Sequence, residues 1–274
     1  MKLRNGSRGF TLIELMIALV AGLIVSYAVV AFTMASMKSN AEYVQSAKLT
    51  QTLRNTLDLV VRDLRRAGYD DAAVTRLAGG ADSTAVGTSP FSPLLLETGN
   101  PTPTNGSCII YAYDRPGGTA GTLQVANGEV RGLRRVQVTP TGATAPVGVI
   151  EYATSSTIKP ACGGATAVYT SYPPACNTTS LWCPLTDAAT INIQQFGITE
   201  QLPFPVVGTP TNQVRIRNLQ VAIAGRLVGD DGTNSVNGVY LSGVSTSYRR
   251  GLQATVKVRT DCVKSVITNC TLSP

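Results

Sequence analysis

The chain has 274 residues, a net charge of +7 and 14% charged residues, against roughly 25% in an average soluble protein. Its hydrophobic content of 43% sets it apart from disordered chains, and it contains no histidine. That absence excludes a Ser-His-Asp triad, a Cys-His pair and an HExxH zinc site, and leaves only thiolates as familiar zinc ligands. Lys2, Arg4 and Arg8 stand in the first nine residues, so the remainder carries only a mild basic excess. The pairs Arg65-Arg66, Arg134-Arg135 and Arg249-Arg250 are short and far apart and read as solvated faces, which makes nucleic-acid binding an unfavoured role.

Residues 1–9 are polar and basic, and from Phe10 to Ala35 the chain is almost wholly apolar, with Glu14 the one charge. A charge-free run from Leu15 to Ala35 is long enough to span a bilayer, and the basic flank predicts that the rest of the chain faces outward. The run is too long for an ordinary secretory signal, and no A-x-A-like cleavage site comes closely after it. The plain reading is a signal anchor. Glu14 then either snorkels at the membrane edge or has a polar partner, because a carboxylate in hydrocarbon is costly.

Gly9-Phe10-Thr11-Leu12-Ile13-Glu14-Leu15 resembles the type IV prepilin signature, a short basic leader ending in Gly, then Phe, then Glu at the fifth mature position. The resemblance implies cleavage by prepilin peptidase between Gly9 and Phe10 and N-methylation of Phe10. It also implies an apolar helix that moves from membrane to filament core, and pairing of Glu14 with the α-ammonium of a neighbouring subunit.

Beyond Ala35, Leu53, Leu57, Val60, Leu64 and Ala67 recur at helical spacing, with Ala41, Val44, Ala47 and Leu49 leading in. The pattern predicts one helix from Phe10 to Ala67, roughly 87 Å long, stopped by Gly68 and packed by that stripe against a head. The boundaries expected are a leader at 1–9, a membrane or filament-core half-helix at 10–35, an amphipathic half at 36–67 and a β-rich periplasmic or extracellular head at 68–274. The end of the helix, closing in Arg66-Ala67-Gly68-Tyr69, is similar to minor pilins of the PilW kind. Cys108 to Arg115, Trp182 with Leu185-Thr186-Asp187, and Tyr248-Arg249-Arg250 leading into 254–259 extend that likeness.

Past Tyr69, Gly, Pro, Ser, Thr and Asn become frequent, and Gly79 to Pro103 reads as an extended loop. Strands are predicted at 108–113, 122–126, 129–138, 147–153, 191–199, 214–226 and 253–259. Asn127-Gly128 predicts a type I′ hairpin turn between the second and third. The fold class expected is α+β, a long N-terminal helix packed on a mainly antiparallel sheet, as the pilin resemblance also implies.

All six cysteines lie on the outward side and argue for three disulfides. Cys262 with Cys270 is the easiest local pair, and Cys108 with Cys176 and Cys162 with Cys183 are favoured for the rest. A Cys₄ zinc site lacks its CxxC knuckles. Ser156 to Lys159 matches S-x-x-K in a Ser/Thr loop without companion motifs, and Asp70-Asp71 and Asp230-Asp231 depart from calcium-loop spacing. No cofactor, metal or catalytic set is expected.

The resemblance implies a non-catalytic minor pilin in a tip or initiation complex that primes pilus assembly and supports adhesion or twitching motility. Its partners would be the major pilin, other minor pilins, prepilin peptidase, the inner-membrane assembly platform and a tip adhesin. A J-type pseudopilin of type II secretion, a DNA-uptake filament subunit and, remotely, a membrane-anchored hydrolase are the alternatives.

Overall fold

The computed structural model describes residues 10–72, 89–91, 94–97, 107–143, 145–154, 158–201, 206–209, 212–215, 217–228, 250–258 and 262–263. One helix, α1 (Leu12–Leu64), precedes eleven strands among these residues. The chain forms two units, residues 1–48 and 49–274.

In the first unit α1 is capped by Thr11, whose carbonyl and hydroxyl both accept the backbone N–H of Glu14. Thr11 and Glu14 thus have the spacing of a capping box, S/T-x-x-E, and Glu14 lies in the first turn, where a carboxylate complements the helix dipole. The apolar side chains of this stretch, from Phe10 through Val44, are exposed. This is the described helix with the length and composition to cross a membrane. Thr33 donates its hydroxyl to the carbonyls of Val29 and Val30, so this polar group is satisfied within the helix.

In the second unit the predicted stripe is found. Leu49, Leu53, Leu57, Val60, Val61, Leu64 and Ala67 are buried, whereas the expected lead-in residues Ala41, Val44 and Ala47 are exposed. The helix tightens at its end, with Arg66 and Ala67 donating to Asp63 and Leu64 three residues back. Gly68 then turns left-handed at φ 77°, a conformation costly for a residue with a Cβ.

Strands β1 (Leu94–Glu97), β2 (Cys108–Ala112), β3 (Val130–Val138), β4 (Val147–Thr154) and β5 (Trp182–Pro184) form one sheet in sequence order. A second sheet has the order β10-β9-β6, from β6 (Ile191–Glu200), β9 (Asn218–Leu227) and β10 (Arg250–Lys257). The third, β11-β8-β7, contains β7 (Val206–Thr209), β8 (Asn212–Arg215) and β11 (Cys262–Val263). Every strand pair is antiparallel, as expected for the α+β class.

The core lies between the helix stripe and the first two sheets. Ile109, Tyr111, Leu133 and Ile150 meet it from β2–β4, and Ile193, Phe196, Leu219, Val221 and Val256 from β6, β9 and β10. The opposite face of the first sheet is covered as well. Phe91 packs there with Ala112 and Val130, and residues 158–183 place Cys162, Trp182, Ala167 and Tyr169 over it. A sheet buried on both faces has little polar–apolar alternation, which is why β4 is buried at nearly every position.

Gly148 joins the first two sheets. A side chain there would overlap the carbonyl oxygen of Ile193 on β6. The approach is held by Gly148 N–H donating to Asn192 Oδ1 at 3.0 Å and Arg135 Nε donating to Ile193 O at 2.7 Å.

Several strand expectations are corrected. Residues 122–126 are not a strand, because the Glu129 carboxylate accepts the Gln124 N–H and the Asn127 amide donates to Gln124 Oε1. Val125–Asn127 makes a 3₁₀ turn capped by Gly128 at φ 66°. Asn127 does not share that positive φ, so the type I′ hairpin does not form. The predicted strand 214–226 divides between β8 and β9. The supposed loop 79–103 contains β1, which pairs with β2 from Leu94↔Tyr111 to Glu97↔Cys108.

Candidate assembly site

Of the expected processing residues, Gly9 lies outside the described residues, and Phe10 is 82% exposed at the head of α1. Glu14 projects from the same exposed, apolar helix. That arrangement can insert into lipid or into a bundle of similar helices, where the carboxylate would require a cationic or hydrogen-bonding partner.

The head is tied to the end of α1 by backbone bonds. Gly68 N–H donates to Ala112 O at 2.8 Å, and Asp114 N–H donates to Tyr69 O at 2.8 Å. The Asp114 carboxylate accepts the N–H groups of Asp71 and Gly121. Two segments singled out in the sequence, 66–69 and 108–115, therefore interlock. Further up the helix, Tyr111 donates its hydroxyl to Asp63, and Arg131 stands 3.6 Å from the same carboxylate and over the Tyr113 ring. Burial above all, and then the Asp63 charge, push the Tyr111 phenol well above its ordinary range.

Arg134 is not on a solvated face but 2% exposed, a correction to the reading of the Arg134-Arg135 pair. Its Nε and Nη2 donate to Glu151 Oε2 at 2.9 and 2.7 Å, and Nη1 donates to Cys162 O and Gly164 O, each at 2.6 Å. Nη2 also donates to Ala165 O at 3.2 Å, so all five N–H groups are used. Glu151 Oε1 accepts the Ala167 N–H and the Tyr169 hydroxyl, and the guanidinium lies 4.0 Å from the Trp182 ring centroid. Burial lowers the Arg134 pKa against the opposing pull of Glu151, and burial with the Glu151 charge raises the Tyr169 phenol. The irregular segment 158–183 is thus wrapped on one ion pair. Arg134 could have been suspected from the sequence only through its place inside an apolar strand.

The disulfides differ from the favoured pairing. Cys108 is joined to Cys162 and Cys176 to Cys183. Cys108 opens β2 directly opposite Arg134, and Arg134 holds the carbonyl of Cys162, so the ion pair brings those two thiols together. Asn177 accepts Thr179 and Ser180 N–H on its side chain, and Asn177 N–H donates to Trp182 O, which turns Cys176 back on Cys183. Cys270, and with it the expected Cys262 pairing, lies outside the described residues. These four thiols are consumed in covalent bonds, and among the described residues no group of three metal-ligating side chains occurs.

The prokaryotic N-terminal methylation motif matches residues 4–30, over the segment that carries Gly9, Phe10 and Glu14. The family of prepilin peptidase-dependent protein B matches residues 42–246, well over half of the chain. The chain belongs to the prepilin peptidase-dependent protein B family. It is a type IV pilin-like prepilin protein. Comparison with curated proteins and with solved structures gave no match.

The prepilin peptidase-dependent protein B match covers the buried helix stripe, the first sheet, the Arg134–Glu151 pair and both disulfides, and stops before β10. In this prepilin the remaining sequence candidates have structural duties or fall outside the described residues. Asp70 is 8% exposed and accepts the Ala72 N–H and the Ser89 hydroxyl, while Asp71 accepts the Tyr69 hydroxyl. Asp230, Asp231, Ser156 and Arg249 lie outside. Thr186, in the Leu185-Thr186-Asp187 segment, is buried and accepts the Ile150 N–H, and Asp187 accepts the Ala189 N–H.

Proposed function

We propose that this chain is a minor pilin, a non-catalytic, low-copy subunit of a tip or initiation complex that primes type IV pilus assembly. The observation that supports it is the methylation motif at the start of a helix whose apolar residues are exposed over its first thirty or so positions, succeeded by a disulfide-stapled head. Prepilin peptidase would remove residues 1–9 and leave Phe10 as the methylated N-terminus. The chain would wait in the inner membrane as a single-pass protein with a periplasmic head. It would then enter the filament with Glu14 facing the α-ammonium of an adjacent subunit. Its partners would be the major pilin and other minor pilins on the assembly platform.

A DNA-uptake role built on Arg134, Arg135, Arg249 and Arg250 loses its basis, since Arg134 spends its charge on a buried carboxylate. Mass spectrometry of the mature N-terminus and quantification in sheared pili test the proposal. N-methyl-Phe10 and sub-stoichiometric recovery are expected. An N-terminus beyond Ala35, or shaft-level abundance, would overturn it.

A further inference from the structure

Glu129 and Glu151 are both fully buried. Glu151 is matched by Arg134, and Glu200, whose side chain is 4% exposed, is matched by Arg217. Glu129 forms no ion pair with a described residue. Its Oε2 accepts the Gln124 N–H, while its Oε1 is buried without a hydrogen-bond partner among the described residues. Arg115, earlier on the same connection, donates instead to the Asn127 carbonyl at 3.1 Å. A buried carboxylate with neither a cation nor a full set of donors is costly, so this position calls for a positive charge that the described side chains do not supply.

The orphaned oxygen faces the turn at Gly117-Gly118. From the place where a Cβ on Gly118 would stand, Asn127 Nδ2 lies at 2.5 Å, Gln124 Oε1 at 3.0 Å and Glu129 Oε1 at 3.1 Å. Three polar side-chain ends thus meet beside a residue that has no side chain of its own. Gly117 turns at φ 106° and residues 116–120 are exposed, so solvent meets the outer side of this turn. Asn127 Nδ2 donates to Gln124 Oε1 at 2.6 Å, and a half-turn of that carboxamide would offer its oxygen instead. The set is then all oxygen with a single carboxylate. It differs in kind from the groupings of His, Cys, Asp and Glu that are absent among the described residues. Calcium suits it best, because calcium accepts roughly six to eight oxygens in irregular geometry and completes its shell with water. Magnesium demands a near-ideal octahedron, and zinc prefers nitrogen and sulfur.

We propose that Glu129, Gln124 and Asn127 form a calcium site beneath the Gly117-Gly118 turn. The site is separate from the Asp70-Asp71 and Asp230-Asp231 pairs, and it stands independently of the pilin reading. One carboxylate places it in the weak class of extracellular modules, with a Kd of about 0.1–1 mM. The ion would brace the connection that starts at Asp114. That residue donates its N–H to Tyr69 O, and its carboxylate accepts the Asp71 and Gly121 N–H groups. Calcium would therefore stiffen the segment that ties β2 to the end of α1.

The test uses the full-length chain in detergent, stripped with EGTA and dialysed against radioactive calcium, with Trp182 fluorescence following thermal unfolding. One ion should bind per chain, and about 10 mM calcium should raise the unfolding midpoint by about 3–10 °C, more than magnesium does. Glu129→Gln should weaken binding at least about tenfold and remove most of that shift. In calcium-free buffer the same variant should unfold at or above the wild-type temperature, because the unpaired charge is gone. If it fails to fold, Gly118→Ala takes its place. The added methyl group meets the tip of a flexible side chain rather than backbone, and it should weaken binding by a similar factor. No calcium bound at about 10 mM overturns the proposal. So does binding that neither variant changes, which would put the ion elsewhere in the chain.

Discussion

Arg134 and Glu151 are cross-strand partners on β3 and β4, and their pair is 3% and 0% exposed. Removing one member of a buried pair leaves the other charged and unsolvated, at a cost of about 3–5 kcal/mol. Glu151→Ala should therefore destabilise the head by that amount, and Arg134→Lys should also be poorly tolerated, since an ammonium cannot supply five planar donors. Trp182 is the only tryptophan and is fully buried against Arg134, so its fluorescence during denaturant unfolding reads the effect directly.

The two raised phenols make a pH prediction. Tyr111 and Tyr169 titrate above their unfolded value of about 10, so the folded state holds protons that the unfolded state releases. Their contribution is fully present below about pH 10 and is lost as pH rises from there toward the folded values. The unfolding midpoint should be flat to about pH 9 and fall above about pH 10, and Tyr169→Phe should make that fall shallower.

Between elements, the tightest point is Gly148. Gly148→Ala places a methyl group against the Ile193 carbonyl, and neither backbone can retreat without breaking the Asn192 and Arg135 bonds. A loss of at least about 3 kcal/mol, or failure to accumulate folded protein, is expected, measured by the same fluorescence assay. A stability equal to wild type would show that β4 and β6 are not held so closely.

Legibility in the sequence divides along the same lines. The helix stripe and β2, β3, β4, β6 and β10 were readable because apolar periodicity or β-branched runs mark them. β1 was not, because Leu94 to Leu96 sit among prolines and glycines and become a strand only by pairing with β2. The Asn127-Gly128 turn misled, because the Glu129 and Asn127 side chains capture a local backbone that propensity assigned to a hairpin. The cysteine pairing was hidden for a related reason: it depends on where Arg134 gathers the carbonyls of 162–165, a contact no spacing rule contains. The N-terminal methylation motif was the most legible part, since it is local and linear and a family model matches it at residues 4–30.

At the scale of the whole chain, an exposed apolar helix is followed in sequence by a disulfide-stapled head. Glu14 belongs to the first. Glu14→Ala removes a carboxylate from the exposed first turn and leaves every described head contact in place. Head stability by Trp182 fluorescence should be unchanged, while recovery in sheared pili should fall at least about tenfold if the charge meets an α-ammonium in a dry interface. Normal recovery would mean that incorporation does not need the Glu14 carboxylate, since the Glu14 N–H that Thr11 accepts is kept in the variant. Gly9→Val, which sets a branched side chain at the expected cut, should leave residues 1–9 attached, as intact mass would show.

The stitching of β2 to the end of α1 also has a mechanical consequence for the head. Tension applied along α1 would pass to β2 through the Gly68–Ala112 and Tyr69–Asp114 backbone bonds. The other end of β2 is Cys108, bonded to Cys162, while Tyr111 between them grips Asp63. The strand that first feels the pull is thus covalently moored at its far end. In a single-molecule stretching experiment, the oxidised head should yield at a higher force than the Cys108→Ser head, with β2 peeling from the helix end before the rest gives way.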